Sequence, residues 1–96
     1  MSQTNIMQIV RLKTNLPEEE LIKRAKEREP YFKAIPGLIQ KHYVKMDGQY
    51  CGVYLWDSMD SLQEFRASEL AATIPQAYEV VEPPQIEVGE VLFSLR

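Results

Sequence analysis

The chain has 96 residues and a formal net charge of −3. This length predicts one domain, residues 1–96, with no room for a second hydrophobic core. An acidic chain gains no favourable charge from a polyanionic surface, so we expect neither a nucleic acid nor a membrane as partner. Lys41 and Lys45 are the nearest approach to a basic patch.

The scarcity of cysteine and histidine excludes several kinds of site. The single cysteine, Cys51, cannot form an internal disulfide and is typical of a reducing compartment, so we expect a cytoplasmic protein. One histidine and one cysteine cannot form a nitrogen- or sulfur-rich metal site, so no metal is predicted. Residues 1–5 are interpreted as a short leader without signal-peptide character, and no segment is long enough to cross a bilayer.

The first predicted elements are a strand and a helix. Residues 6–13 alternate as a strand, with one face formed by Ile6, Gln8, Val10 and Leu12. Asn15 is the predicted helix cap, Pro17 suits the first turn, and Pro30 is expected to kink or end the helix. The predicted apolar stripe of this helix comprises Leu21, Ile22, Ala25 and Phe32.

A β-hairpin follows. Strands Leu38–Met46 and Gln49–Trp56 flank Asp47-Gly48, a strong two-residue turn signal. The predicted register places three pairs opposite each other: Tyr43 with Gly52, Lys41 with Tyr54, and Ile39 with Trp56.

The second strand of the hairpin has two contrasting faces. Cys51, Val53 and Leu55 form a small aliphatic face suited to packing. The opposite face carries Tyr50, Gly52, Tyr54 and Trp56. Aromatic side chains around a glycine predict a surface on which a planar ligand could rest.

Helical turns and a last strand complete the chain. Ser58 caps a predicted helix Met59–Arg66, and its buried side comprises Met59, Leu62 and Phe65. A further helical stretch is expected over residues 70–78, interrupted at Pro75. The last strand is predicted over residues 85–95, with a β-bulge at Gly89 where the apolar phase slips.

The order β-α-β-β-α-β predicts an α+β, ferredoxin-like domain with a four-stranded antiparallel sheet and helices on one face. The other face of this sheet would still be apolar, with Met7, Ile9, Val44, Val53 and Leu55. Exposing that area is unfavourable for a soluble monomer. We therefore expect a homodimer in which the sheets of two subunits face each other.

Two segments carry a family resemblance: residues 35–38, Ile-Pro-Gly-Leu, and residues 52–62, which lead from the third strand into the second helix. In them the chain resembles the dimeric α+β barrel proteins, and within these the antibiotic-biosynthesis monooxygenase group, closest to its small YdhR-type members. The resemblance implies a barrel between two subunits and an apolar pocket between sheet and helices. The scaffold serves several activities.

What the resemblance implies for chemistry is a monooxygenase that needs no metal, flavin or other cofactor and acts on a small aromatic phenol or quinol. Other members degrade haem with an Asn-Trp-His set. Trp56 matches that tryptophan, but the asparagine position falls at Val10 and no histidine follows Trp56. The haem-degrading branch is therefore disfavoured. The quinone-forming members have a polar partner for the tryptophan, and the corresponding position in this chain is Gly52.

The candidate site residues follow from chemistry and position. His42 is the one side chain with a reference pKa suited to a general base near neutrality, but the register places it on the face away from Trp56, which favours a structural role. Gln8 is expected to bond a backbone group and Phe65 to serve as lid or core. The candidate substrate-binding residues are Trp56, Tyr54, Tyr43, Gln8 and Phe65.

Two other functions remain open. RNA-recognition modules share the element order and display aromatics on the third strand, but the aromatic expected on the first strand is missing here and the net charge is negative. That function also requires the aromatic face to be open to solvent. A ligand-binding or scaffold protein without catalysis is the third alternative.

Overall fold

A computed structural model describes residues 5–96, and residues 1–4 of the predicted leader lie outside the described residues. The elements in chain order are β1 (Ile6–Leu12), α1 (Glu18–Lys33), β2 (Leu38–Met46), β3 (Gln49–Trp56), α2 (Met59–Arg66), α3 (Glu69–Ala72), α4 (Ile74–Ala77) and β4 (Gln85–Glu90). The predicted α+β, ferredoxin-like order is confirmed, with α3 and α4 as two short additional helices.

The sheet has the strand order β2-β3-β1-β4, and every neighbouring pair is antiparallel. One row of directly opposed residues crosses all four strands on the helix-covered face. It runs from Lys41 through Tyr54 and Gln8 to Val88. Since strand neighbours lie about 4.8 Å apart, this row places Lys41 and Gln8 roughly 10 Å from each other, on opposite sides of Tyr54.

The hairpin turn is confirmed. Asp47 and Gly48 both have positive φ, of 51° and 76°, as a two-residue turn of this twist requires. Two predicted pairs, Tyr43 with Gly52 and Lys41 with Tyr54, are present.

The predicted pairing of Ile39 with Trp56 is wrong. A register shift between Leu38 and Gln40 places Leu38 opposite Trp56 instead. The extra residue turns the Ile39 side chain outward, where it is exposed.

Helix α1 departs from its predicted signals at both ends. Asn15 does not cap it, because Pro17 is the N-cap residue and no side chain bonds the first turn. The hydroxyl of Thr14 accepts a hydrogen bond from the Leu16 N–H before the helix begins. Pro30 is expected to kink or end this helix; the helix continues through it to Lys33, so the end is wrong and the kink stays a prediction.

The core lies between the sheet and the helices, with Leu21, Ala25, Phe32, Leu62 and Phe65 buried on the helix side. Two predicted members are absent from it. Ile22 is 45% exposed because it lies at the edge of the α1 stripe, and Met59 is 39% exposed. Helical side chains lean toward the N-terminus, so that of Met59, the first residue of α2, projects beyond the helix.

The end of the chain differs from its prediction. Strand β4 stops at Glu90, which pairs with the first residue of β1, Ile6, so the residues beyond it have no further ladder positions on β1 to pair with. Gly89 pairs with Met7 in an unbroken register, so the predicted bulge is wrong. The apolar side chains of Leu92, Phe93 and Leu95 are exposed.

The helical stretch after α2 is interrupted at Thr73 rather than at Pro75. Pro75 is accommodated in the first turn of α4, where its missing N–H leaves no helical bond unmade. Within residues 5–96, no helix combines the length and apolar character needed to cross a membrane.

A polar cluster fixes the start of α2 against the loop before β2. Asp57 accepts hydrogen bonds from the hydroxyls of Ser61, at 2.6 Å, and Ser58, at 3.0 Å. Ser58 caps the helix through the Ser61 N–H, and the Asp57 N–H donates to the carbonyl of Gly37 at 2.8 Å. These bonds position α2, and with it Phe65, over the end of β3.

Gly37→Ala tests this cluster. Gly37 has a φ of 85°, and an added Cβ would overlap Ser61 and lie 2.7 Å from Asp57 Oδ1. Gly48→Ala is the matched control, because Gly48 has a φ of 76° and open space around it. We expect Gly48→Ala to cost about 1 kcal/mol of unfolding free energy, from backbone strain alone, and Gly37→Ala at least about 2 kcal/mol more. Equal losses of unfolding free energy in the two variants, measured by urea unfolding, would show that the cluster accommodates the added methyl group without cost.

Candidate functional site

The central polar contact of the helix-covered face joins Gln8 on β1 to Trp56 on β3. The indole Nε1 of Trp56 donates a hydrogen bond of 3.0 Å to Gln8 Oε1. Gln8 is 1% exposed and Trp56 is fully buried. An indole nitrogen can only donate, so this bond fixes which end of the Gln8 amide faces Trp56. The expected backbone partner of Gln8 is therefore replaced by the Trp56 indole.

Aromatic rings surround this bond. Tyr54 stacks on Trp56 with ring centroids 5.8 Å apart and planes 5° apart, and Phe65 packs 5.3 Å from Trp56. Tyr54 and Trp56 on β3 are buried beneath the helices, and Phe65 is buried on the inner side of α2. The aromatic face of β3 is thus part of the core. The open aromatic surface on which the RNA-recognition alternative depends is not present in this structure.

A cavity of about 260 Å³, the Gln8 cavity, lies beside Gln8 between the sheet and the helices. Its apolar wall includes Val10, Phe65 and Ile74, and Arg66 stands at its margin. Gln8 lines this cavity, and its amide nitrogen is the end that Trp56 does not engage. Ligand pockets commonly span about 300–1,000 Å³, so this cavity suits a molecule of one or two rings.

Lys41 occupies the other side of Tyr54. Its Nζ lies 3.5 Å from the ring centroid of Phe32, 4.5 Å from that of Tyr43 and 4.6 Å from that of Tyr54. Lys41 is not among the site residues predicted from the sequence. Its signal was available, since the hairpin register already placed a charged side chain opposite Tyr54 on the aromatic face.

The glycine notch of β3 is filled from within the chain. A Cβ at Gly52 would lie 3.0 Å from Tyr54 Cε1 and 3.5 Å from Lys41 Cε. Tyr43 stacks on Tyr50 with centroids 6.1 Å apart and remains partly exposed. Of the five predicted substrate-binding residues, Gln8 and Phe65 line the Gln8 cavity, whereas Tyr43 lies beside Lys41.

Burial sets the ionisation of this region. Desolvation, with a smaller contribution from the Arg28 charge, lowers the pKa of Lys41 to about 7. Desolvation also raises the pKa of Tyr43 to about 12 and raises the pKa of Tyr54. Near neutral pH the tyrosines keep their protons, and Lys41 is the group that titrates.

His42 lies on the opposite face of the sheet, as predicted, and pairs with Val53. Its side chain is exposed. The Gln8–Trp56 bond is buried on the other face of the sheet, the one that the helices cover. Within residues 5–96, no group of three or more histidine, cysteine or acidic side chains is arranged to hold a metal ion.

The pKa of Lys41 predicts a pH-dependent stability. Its value in the folded state, about 7, lies below the ordinary 10.5, so the unfolded chain binds more protons between these values and stability rises with pH. We expect the unfolding free energy to increase by up to about 2 kcal/mol from pH 7 to about pH 9, before the tyrosines titrate. Lys41→Met should stabilise the protein at pH 7 and remove the rise.

The measurement is urea unfolding across this pH range. Lys33→Met is the control, because Lys33 is an exposed lysine of the neighbouring helix. A Lys41→Met protein that keeps the parent's pH dependence would contradict the burial of Lys41.

Comparison with known proteins gives structural relatives only. No family model and no curated protein matches the chain. A protein of unknown function from Nitrosomonas europaea, NE2512, is 20% identical with a TM-score of 0.78, covering 98% of this chain and 95% of its own. SnoaB, a cofactor-independent oxygenase from Streptomyces nogalater, is 13% identical with a TM-score of 0.75, and the match covers 96% of this chain and 97% of that one.

A third similar structure is a monooxygenase from the gene ActVA-Orf6 of Streptomyces coelicolor, in complex with the ligand nanaomycin D. It is 13% identical with a TM-score of 0.73, and the match covers 97% of this chain and 92% of that one. The predicted closer likeness to YdhR-type proteins stays a prediction. The chain has the ferredoxin-like α+β fold of the antibiotic-biosynthesis monooxygenase-like proteins.

Proposed function

We propose that this protein is a cofactor-independent monooxygenase that binds a small phenol or quinol in the Gln8 cavity. The observation that carries the proposal is an amide held by a buried indole at the wall of a largely apolar cavity. Such a cavity orients a flat ring by shape and its oxygen by one hydrogen bond. The shared fold of an oxygenase that needs no cofactor supports the same activity.

The reaction requires no group beyond substrate and oxygen. An electron-rich phenol loses its hydroxyl proton and passes an electron to O₂. One oxygen atom then enters the ring, the other leaves as water, and the phenol becomes a quinone. Because the substrate supplies all the electrons, the protein has to position the ring, stabilise its ionised oxygen and exclude water.

The residues of the Gln8 cavity supply these functions. The Gln8 N–H₂ group donates to the substrate oxygen and strengthens that bond as negative charge develops. Trp56 acts through Gln8, by holding its Oε1 and thereby aiming its nitrogen. Phe65 forms the apolar wall, and the positive charge of Arg66 at the margin favours an anionic ring. We assign Gln8 to substrate binding and Trp56 to positioning.

We also propose that the protein is a homodimer formed through the outer face of the sheet. This face carries Met7, Ile9, Val44, Val53 and Leu55, and in the described part of the chain the helices pack on the other face. A second copy presents the same surface, so a two-fold axis pairs apolar area with apolar area. Covering this face would also shield His42 from solvent.

Oxygen uptake tests the proposed activity. We expect hydroquinones or related phenols to drive oxygen consumption in chelator-treated protein without added cofactor. Gln8→Leu should lower kcat/KM about 10- to 100-fold, because it removes the only predicted donor to the substrate oxygen. Gln63→Leu, the same change on the exposed surface of α2, should leave the rate unchanged.

Two results would contradict this function. Saturable binding of phenols without oxygen uptake would favour the ligand-binding alternative. Equal rates for Gln8→Leu and Gln63→Leu would place the reaction outside the Gln8 cavity.

Light scattering tests the dimer. At micromolar concentration we expect about twice the chain mass of 11.1 kDa. Val53→Lys, at the centre of the outer face, should yield single chains, because two buried ammonium groups would face each other across the interface. Ile22→Lys makes the same change on the exposed surface of α1 and should preserve the dimer. A single-chain mass for the parent protein would overturn the proposal.

A further inference from the structure

We propose that the cleft between α1 and β2 is a second ligand site, in which the amine of Lys41 condenses with a small aromatic aldehyde to form an imine. This site is separate from the Gln8 cavity and does not depend on the oxygenase function. The ligand class follows from the reacting atom, an uncompensated amine, and from the walls around it.

The cleft, here the Lys41 cleft, has a volume of about 240 Å³ and opens along β2, an edge strand of the sheet. Phe32, Leu38, Ile39 and Tyr43 form the apolar part of its wall, and the polar part comprises Glu29, Lys33, Gln40 and Lys41. A cleft of this size accommodates a single substituted ring. The rings of Phe32 and Tyr43 offer flat faces against which an aromatic ligand can pack.

Among residues 5–96, Lys41 has no anionic partner. No carboxylate of the described residues lies within 4.0 Å of its Nζ, and the nearby Glu29 is instead 3.9 Å from the Nζ of Lys33. The charged and titratable groups around Lys41 are Arg28, Glu29 and Lys33 on α1, Tyr43 on its own strand and Tyr54 on β3. Arg28 opposes a second positive charge here, and Tyr43 and Tyr54 are neutral near pH 7.

Opposing effects act on the protonation of the Lys41 amine. The ring faces of Phe32, Tyr43 and Tyr54 attract an ammonium ion, whereas desolvation and Arg28 favour the neutral amine. Desolvation by burial, with a smaller contribution from the Arg28 charge, lowers the pKa of Lys41 to about 7. At that pH about half of Lys41 is amine, roughly a thousand-fold more than for an exposed lysine. Desolvated lysines beside another cation are the kind that form Schiff bases.

The condensation is balanced without an oxidant or reductant. The Nζ lone pair attacks the carbonyl carbon, the carbonyl oxygen takes up a proton, and the nitrogen loses one. The resulting hydroxyl then leaves as water as the C=N bond forms. A proton from solvent leaves with the hydroxyl, and the nitrogen gives up its second proton as the neutral imine forms. Tyr43, whose pKa is raised to about 12, keeps its proton and contributes the face of its ring, whose centroid lies 4.5 Å from the Lys41 nitrogen.

Reductive trapping with benzaldehyde and cyanoborohydride at pH 7 tests the site. We expect the first benzyl group on the folded protein to be at Lys41, located by peptide mass mapping, at a rate at least about ten-fold above that of any exposed lysine. Lys41→Arg should abolish this fast addition. Lys33→Arg, which changes an exposed lysine of the same cleft, should retain it.

The pH profile of the parent protein provides a test that needs no variant. Labelling of Lys41 should level off above about pH 7, whereas labelling of exposed lysines should continue to rise toward pH 10. Two results would overturn the proposal. One is labelling of the exposed lysines before Lys41, and the other is a labelling rate of Lys41 that rises toward pH 10 as theirs does. Because the readout is a mass, this outcome is independent of whether oxygen uptake is found.

Discussion

The hydrogen bond between Trp56 and Gln8 is the contact on which the interior of this protein depends. It joins the two central strands, β1 and β3, beneath the helices, where no water competes for either group. A bond of this kind contributes only about 1 kcal/mol net, but leaving one partner unpaired costs about 1–3 kcal/mol. The pair therefore constrains both side chains together. It leaves the Gln8 amide nitrogen unengaged by Trp56 in a residue that lines the Gln8 cavity, and this nitrogen is the basis of the proposed function.

Tyr54 gives the helix-covered face a second organising feature. It lies between Lys41 and Gln8 in the row that crosses the sheet, so the space between sheet and helices is divided in two. The Gln8 cavity offers a neutral hydrogen-bond donor, and the Lys41 cleft offers an amine without a counter-ion. Each half has aromatic walls, but they suit different ligand chemistry: an oxygen that gains charge in one and an electrophilic carbon in the other.

The parts of this structure that were predicted from sequence are those governed by local patterns. Alternation in β1, the Asp47-Gly48 turn and the Ser58 cap depend on neighbouring residues, and all are present. The bulge beside Ile39 and the early end of β4 depend on what the partner strand offers, which no local pattern records. The hairpin register placed Lys41 opposite Tyr54, but its altered pKa depends on burial under α1, which the register does not reveal.

The central claim is that the Gln8 amide donates to a ligand oxygen, and NMR of the side-chain amides tests it most directly. In ¹⁵N-labelled protein titrated with a hydroquinone under nitrogen, one amide proton of Gln8 should move downfield and saturate. The side-chain amides of Gln40 and Gln63 should not move. Unchanged Gln8 resonances, with the shifts confined to His42 and its neighbours on the outer face, would contradict the account.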